Sequence, residues 1–445
     1  MKISNGDCLQ VLLFGTFAES RYYLGEFKDK FDLVGFNANM IAHAPDGISA
    51  FVAQLMNKTF FIDPQTHAFQ QPLKTVMRKN EEGEWGLKQS IRKLANEYGS
   101  FVSKAAGVSR IRPGLQGEDL KELTESCLSF QWERLQSSLE QSDVKEFLGD
   151  VTLRPEFLVA PYFYLEPDEF QEELKDNLRF VAQARTVLTD VTGKESVPLY
   201  AELVVGKELL IDESKCKEIT NAYKDSDADG FLLWIDEFSE VFESKDSLRK
   251  YVSLLGELKS AGKPIIALHG SFLSVALSSS EFSSLAGVGH GIEYGESRAV
   301  VPVGGGVPLA KFYFSKFFKR INYDPDALDV LLEMDWIADR KTFLSKVCSC
   351  DTCKKTIGED VVSSFHKYGE TRVSPKNNKA YPTGDAMHLS RTHYMYRKIA
   401  EHDFCKSAST GAIIDDLKKS AEVSTNIKSQ SFNHLKKWVD VLTDK

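Results

Sequence analysis

An α/β fold, a (β/α)8 TIM barrel with a helical insertion and a C-terminal zinc-binding subdomain, follows from three features of the 445-residue sequence. Short apolar runs that end in a polar residue recur through the first two thirds. Amphipathic stretches of helical period separate them. Three cysteines then fall within six residues, 348–353. Parallel strands need a crossover of a dozen or more residues, so alternating runs of this kind predict β/α units.

The strand candidates, in order, are 11–14, 31–39, 59–63, 157–165, 197–205, 230–236, 264–269 and 287–296. Eight such units close a barrel; an open doubly wound sheet is the alternative. Helical period over 167–188 and 247–261 supplies crossovers. Residues 70–150 carry few strand signals and many charges, which predicts the helical insertion between two barrel strands. The expected division is a barrel over 1–320 and a zinc-binding helical subdomain over 321–445. Within 311–320, Phe312, Tyr313, Phe314, Phe317 and Phe318 alternate irregularly with basic residues, read as a barrel-covering helix. Residues 366–387 read as an exposed loop and the tail from Leu389 as helical.

With 42% hydrophobic residues the chain can bury a large core, which excludes global disorder. No run reaches the roughly 18 apolar residues of a membrane helix, so no membrane partner is expected. The first residues are too polar for a signal peptide, and seven cysteines do not make a secreted disulfide framework. The expected compartment is the cytoplasm. Net charge is −9 overall, yet residues 311–445 hold 23 Lys and Arg against 18 Asp and Glu. A polyanion would therefore meet the C-terminal part first.

Cys348, Cys350 and Cys353 form C-x-C-x-x-C, and His388, His393 and His402 follow on a predicted helix. Three thiolates and one imidazole make a closed tetrahedral shell for a structural Zn2+. His393 is the favoured fourth ligand, because the helical spacing around it turns one face toward the cysteine loop. Several acids stand at strand ends, where carboxylates distant in sequence converge on one substrate: Asp63, Asp236 and Glu296. Glu202 lies inside a strand. His269 and His290 end two neighbouring strands, placed to contact a ribose or phosphate. Gly304-Gly305-Gly306 lacks the following Lys-Ser/Thr of a triphosphate loop.

A barrel followed by C-x-C-x-x-C and a later helix carrying Thr392-His393 resembles the queuine tRNA-ribosyltransferase (tRNA-guanine transglycosylase) superfamily. Residues 348–398 carry the resemblance. Asp63, in Phe60-Phe61-Ile62-Asp63-Pro64-Gln65-Thr66-His67-Ala68-Phe69-Gln70, takes the place of the aspartate in that family's Asp-Ser-Gly-Gly-Phe-Gln motif. Gly291-Ile292-Glu293-Tyr294-Gly295-Glu296 is similar to Gly-Val-Asp-Met-Phe-Asp, whose last aspartate is the family's nucleophile. Pro64 to His67 replace the Gly-Gly turn, and glutamate replaces aspartate at 293 and 296. These departures resemble the branch of DNA-guanine transglycosylases.

The resemblance implies a base-exchange glycosyltransferase that replaces guanine in a polynucleotide, DNA rather than tRNA, with a 7-deazaguanine base. Glu296 would be the nucleophile, with Asp236 its rival, and Asp63 the general acid and base. Glu202 would read the purine edge. Phe69, Tyr162 and Tyr294 would sandwich an extruded base. A homodimer or a partner protein is also implied. The alternatives are a tRNA enzyme, a catalytically silent paralogue that binds nucleic acid or a partner, and an unrelated zinc-stapled barrel enzyme.

Overall fold

The computed structural model describes residues 2–55, 58–79, 83–143, 145–148, 151–292, 296–301 and 309–444. Tyr294 and the Gly304-Gly305-Gly306 motif lie outside the described residues. The chain divides into two compact units. One comprises Met1–Phe238, Lys250–Gly270 and Ser283–Val303; the other comprises Ser239–Arg249, Ser271–Phe282 and Gly304–Lys445. Residues 304–320 thus fall in the second unit, as do two segments drawn from between barrel strands.

The first unit is built on eight strands: β1 (Leu9–Phe14), β2 (Leu33–Asn37), β3 (Thr59–Asp63), β4 (Leu158–Val159), β5 (Leu199–Val205), β6 (Gly230–Ile235), β7 (Ile265–Ala267) and β8 (Gly287–His290). Their hydrogen-bonded order is β3-β2-β1-β8-β7-β6-β5-β4, and every ladder is parallel. Going round from β1, neighbours in space follow chain order, and β3 and β4 face each other as the two edges. Across that seam the Glu156 N–H donates to the Phe60 carbonyl at 2.8 Å. The sheet is a nearly closed, TIM-like barrel. Strands buried on both faces read as unbroken apolar runs, and β5 and β6 are buried at every residue.

The seam explains why the expected strand 157–165 is so short. Ala160 and Leu165 still bond the β5 backbone, but side chains satisfy much of the rest beyond Leu158. Gln131 accepts from the Val159 N–H at 2.9 Å and donates to its carbonyl at 2.8 Å. Thr66 bonds both backbone groups of Tyr162. Gln70 does the same for Tyr164, at 2.9 Å each way, and Asn177 for Phe163. Buried backbone groups must find partners, and here amides and a hydroxyl supply them.

Helix α1 (Pro45–Gln54) links β2 to β3, and α3 (Phe170–Val191) links β4 to β5. The longer connection from β3 to β4 holds Gln89–Glu97, Gly99–Ala105 and α2 (Gly117–Glu140). Helix α2 packs against both α1 and α3, so it fills the place of a crossover helix between its neighbours. Helix α4 (Glu213–Lys224) starts on Asp212, whose carboxylate accepts from the Ser214 and Lys215 N–H groups. Helix α5 (Lys245–Lys259) joins β6 to β7 and buries Leu248, Tyr251, Leu254, Leu255 and Leu258 along one stripe.

Inside the barrel, Phe157 stacks on Tyr200 at 3.9 Å and on Phe61 at 5.0 Å. Glycine is required where strands approach these rings: a Cβ on Gly230 would lie 2.4 Å from Tyr200, and one on Gly35 2.6 Å from Phe61. Each buried aromatic ring contributes roughly 1.5–3 kcal/mol.

The second unit contains an antiparallel hairpin, β9 (Lys311–Phe314) with β10 (Lys319–Asn322). The expected covering helix over 311–320 is therefore corrected to a hairpin. Phe312, Tyr313 and Phe314 are all buried, so the alternation that marks a strand is hidden, and Phe318 takes a left-handed φ of 50° in the turn. The expected loop 366–387 contains an exposed hairpin, β11 (Thr371–Val373) with β12 (Ala380–Pro382). Helices α6 (Gly384–Ser407), α7 (Thr410–Ser424) and α8 (His434–Thr443) complete the unit. Thr383 caps α6 and Ser409 caps α7 through their hydroxyls. No helix of the described residues is long and apolar enough to cross a membrane.

Candidate active site and metal centre

Strand register sets the site in the first unit. Asn37 ends β2 opposite Asp63 at the end of β3, and both line a cavity with Phe14, Trp234, His269 and Arg298. This is the C-terminal end of the barrel, where substrates bind in such folds. The cavity is narrow, about 20 Å³. That is room for about one water.

Asp63 is buried, and its Oδ1 accepts from the Tyr162 hydroxyl and from the Gln65 N–H, both at 2.8 Å. Gln65 adopts a left-handed φ of 53°, which folds its amide back onto the carboxylate. Burial pushes the Asp63 carboxyl up to about 6, against the opposing pull of Tyr162, Gln65 and Arg298. The Tyr162 hydroxyl also lies 2.9 Å from His67 Nδ1, and the two rings stack at 5.4 Å. Because Tyr162 donates its single proton to Asp63, His67 Nδ1–H is the donor to Tyr162. A chain His67–Tyr162–Asp63 results. Burial, reinforced by Arg298, lowers His67 to about 3, so its ring is neutral.

Glu202, inside β5, is almost fully buried, and neither carboxyl oxygen has a hydrogen-bond partner among the described residues. Burial, and then the nearby Asp63, push it well above the usual carboxylate range; the adjacent Tyr162 offsets only part of this. Its surroundings thus disfavour the charged form. His269 lines the cavity edge-on to Trp234 at 5.2 Å and is held neutral, lowered to about 3 by burial. The Arg298 guanidinium lies over the Trp234 ring at 5.4 Å, while its carbonyl accepts from Trp234 Nε1 at 3.1 Å.

The other expected residues are placed differently. Asp236 is engaged: it accepts from the Tyr164 hydroxyl at 3.0 Å and from the Val300 N–H at 2.7 Å. Glu296 is partly exposed and is not among the described residues that line the cavity. His290 is fully buried, with Nε2 3.3 Å from Gln10 Nε2. Phe69 is buried edge-on against Tyr98 at 6.1 Å. Asn37, His67, Trp234 and Arg298 had no role in the sequence reading. His67 sits within the window that departs from the family's Gly-Gly turn, which was the available signal.

In the second unit Cys348, Cys350, Cys353 and His393 bring their ligand atoms within 4.8 Å of one another. His393 Nδ1 lies 3.4 Å from both Cys350 Sγ and Cys353 Sγ. A tetrahedral ion with sulfur at about 2.3 Å and nitrogen at about 2.0 Å would separate sulfur and nitrogen by about 3.5 Å. The donor set can hold a metal ion. On its far side His393 Nε2 donates to the Tyr313 carbonyl at 2.8 Å, which fixes the tautomer that presents Nδ1 to the sulfurs. Phe312 stacks on the ring at 4.3 Å and 11°, and the Tyr368 hydroxyl lies 3.3 Å from Cys353 Sγ. His388 is not part of the cluster. The same hairpin and helix share a buried charge pair: Lys398 Nζ donates to Glu401 at 2.9 Å, and the Tyr313 hydroxyl donates to Glu401 at 2.6 Å.

Searches of protein-family models and of curated proteins found no match.

Proposed function

We propose that the protein is a pentosyltransferase of the guanine transglycosylase type, which exchanges guanine in DNA for a 7-deazaguanine base. The observation that carries this reading is Asp63, a buried acid of raised proton affinity at the C-terminal mouth of a β/α barrel. A group titrating near 6 can both give and take a proton at neutral pH. Asp63 would protonate the departing guanine while a carboxylate attacks C1′ and forms a glycosyl-enzyme bond, the logic of a retaining glycosidase; Glu296 takes that role by motif resemblance alone, since it does not line the cavity around Asp63. Asp63 would then take the proton of the incoming base as that base displaces Glu296. Glu202 would read the purine edge.

The metal would be zinc, in a closed shell that stabilises structure and activates no water. It would hold hairpin β9–β10 to α6 through His393 and Tyr313.

The test is incubation of the intact chain with labelled guanine and with single-stranded DNA, double-stranded DNA or tRNA. Incorporation into DNA, abolished by Asp63→Asn, is the expected result. Incorporation into tRNA alone would move the substrate to the sister branch, and no incorporation into either would refute the reading. The narrowness of the cavity supports a second reading, a silent paralogue that binds nucleic acid; it requires retention of DNA without incorporation.

A further inference from the structure

The second unit contains a cavity of about 390 Å³ that the base-exchange reading does not use. It lies within the usual size of small-ligand pockets. Its lining includes the apolar Phe272, Phe318 and Phe404 and the cationic Lys316, Lys346 and Arg397. Asp416 and Glu401 are the acids present, and Glu401 is matched by Lys398. The remaining charges leave an excess of two positive.

Two residues that line this space each carry a buried polar atom without a partner. Ser420 is fully buried, and its Oγ has no hydrogen-bond partner among the described residues. The same holds for Arg397 Nε. Leaving a buried donor without a partner is costly, so two at one cavity point to an acceptor that belongs there. Three cations and a hydroxyl favour a dianion, and the phenyl walls favour an organic body attached to it.

We infer that this cavity binds a phosphate monoester of nucleoside-monophosphate size, its phosphate on Arg397, Ser420 and the two lysines and its organic body on the phenylalanines. The phosphate can come from a free nucleotide or from the 5′ end of a strand. This site does not depend on the base-exchange reading.

The test is calorimetric titration of the intact, metal-loaded protein with guanosine 5′-monophosphate, inorganic phosphate and a 5′-phosphorylated oligodeoxynucleotide. Saturable binding of the nucleotide is expected, at least tenfold tighter than inorganic phosphate, as is a loss of about tenfold or more in Arg397→Ala. Lys346→Ala, at an exposed position, should weaken binding severalfold without disturbing the fold, and it decides the matter if Arg397→Ala fails to fold. Competition between nucleotide and oligonucleotide for one site, with the tighter binder identified, assigns the source. Absence of saturable nucleotide binding, equal affinity for inorganic phosphate, or unchanged binding in Lys346→Ala would overturn the proposal.

Discussion

Replacing Asp63 by asparagine should stabilise the barrel at neutral pH. In the folded protein the carboxyl titrates near 6 instead of 3.8, because burial disfavours its charged form. A folded-state value above the unfolded one means that the native state holds its proton more tightly. Stability is therefore lost as pH rises from about 4 through about 6. A shift of about two pH units corresponds to about 3 kcal/mol. The asparagine still accepts from Tyr162 and Gln65 through one oxygen. Its amide nitrogen needs an acceptor, for which the Glu202 carboxyl is close by, so the net gain is expected at about 1–3 kcal/mol at pH 7.5. The assay is urea denaturation of both proteins at half-unit steps from pH 4 to pH 8, read by barrel tryptophan fluorescence. The two curves should converge near pH 4 and separate above it, with the variant the more stable. A difference that does not change with pH, or a variant less stable at pH 7.5, would refute the argument that the acid is strained by burial.

Cys353→Ser should lower bound metal, measured by elemental analysis, and reduce the unfolding midpoint. A structural tetrahedral site is worth of order 10 kcal/mol in apparent terms, and full metal content in the variant would refute the ligand assignment. Lys398→Met leaves the Glu401 carboxylate buried without its cation and should cost about 3–5 kcal/mol. Adding Glu401→Leu should recover most of that loss, as measured by a double-mutant cycle. Gly230→Ala forces a methyl group against the Tyr200 ring and should cost about 1–3 kcal/mol in thermal or urea unfolding.

Much of the barrel could be read from the chain because doubly buried parallel strands leave continuous apolar runs. Thr59–Asp63 and Gly230–Ile235 are the cleanest cases. The stretch 157–165 forms a shorter strand than its apolar run predicts because many of its backbone groups bond Thr66, Gln70, Gln131 and Asn177, partners that no local pattern reveals. The hairpin Lys311–Asn322 has the look of a helix in sequence because Phe312, Tyr313 and Phe314 are buried in succession, which erases the two-residue period. The cysteine cluster with His393 was legible because close spacing and helical phase fix its geometry locally. Asp63 was legible from its strand end. Its coupling to His67 and Glu202 was not, since it depends on strands that meet only when the cylinder closes.

The joint between β3 and β4 gives this barrel a property that a full ladder would deny it. Hydroxyl and amide groups fasten the joint, and rotation about their side-chain bonds can release them one at a time while every neighbouring strand pair stays intact. Thr66 and Tyr162, two of the fasteners, flank Asp63. Opening could thus unzip a single stave beside Asp63, and the amide protons of Val159, Tyr162, Phe163 and Tyr164 would exchange with solvent ahead of the rest of the cylinder.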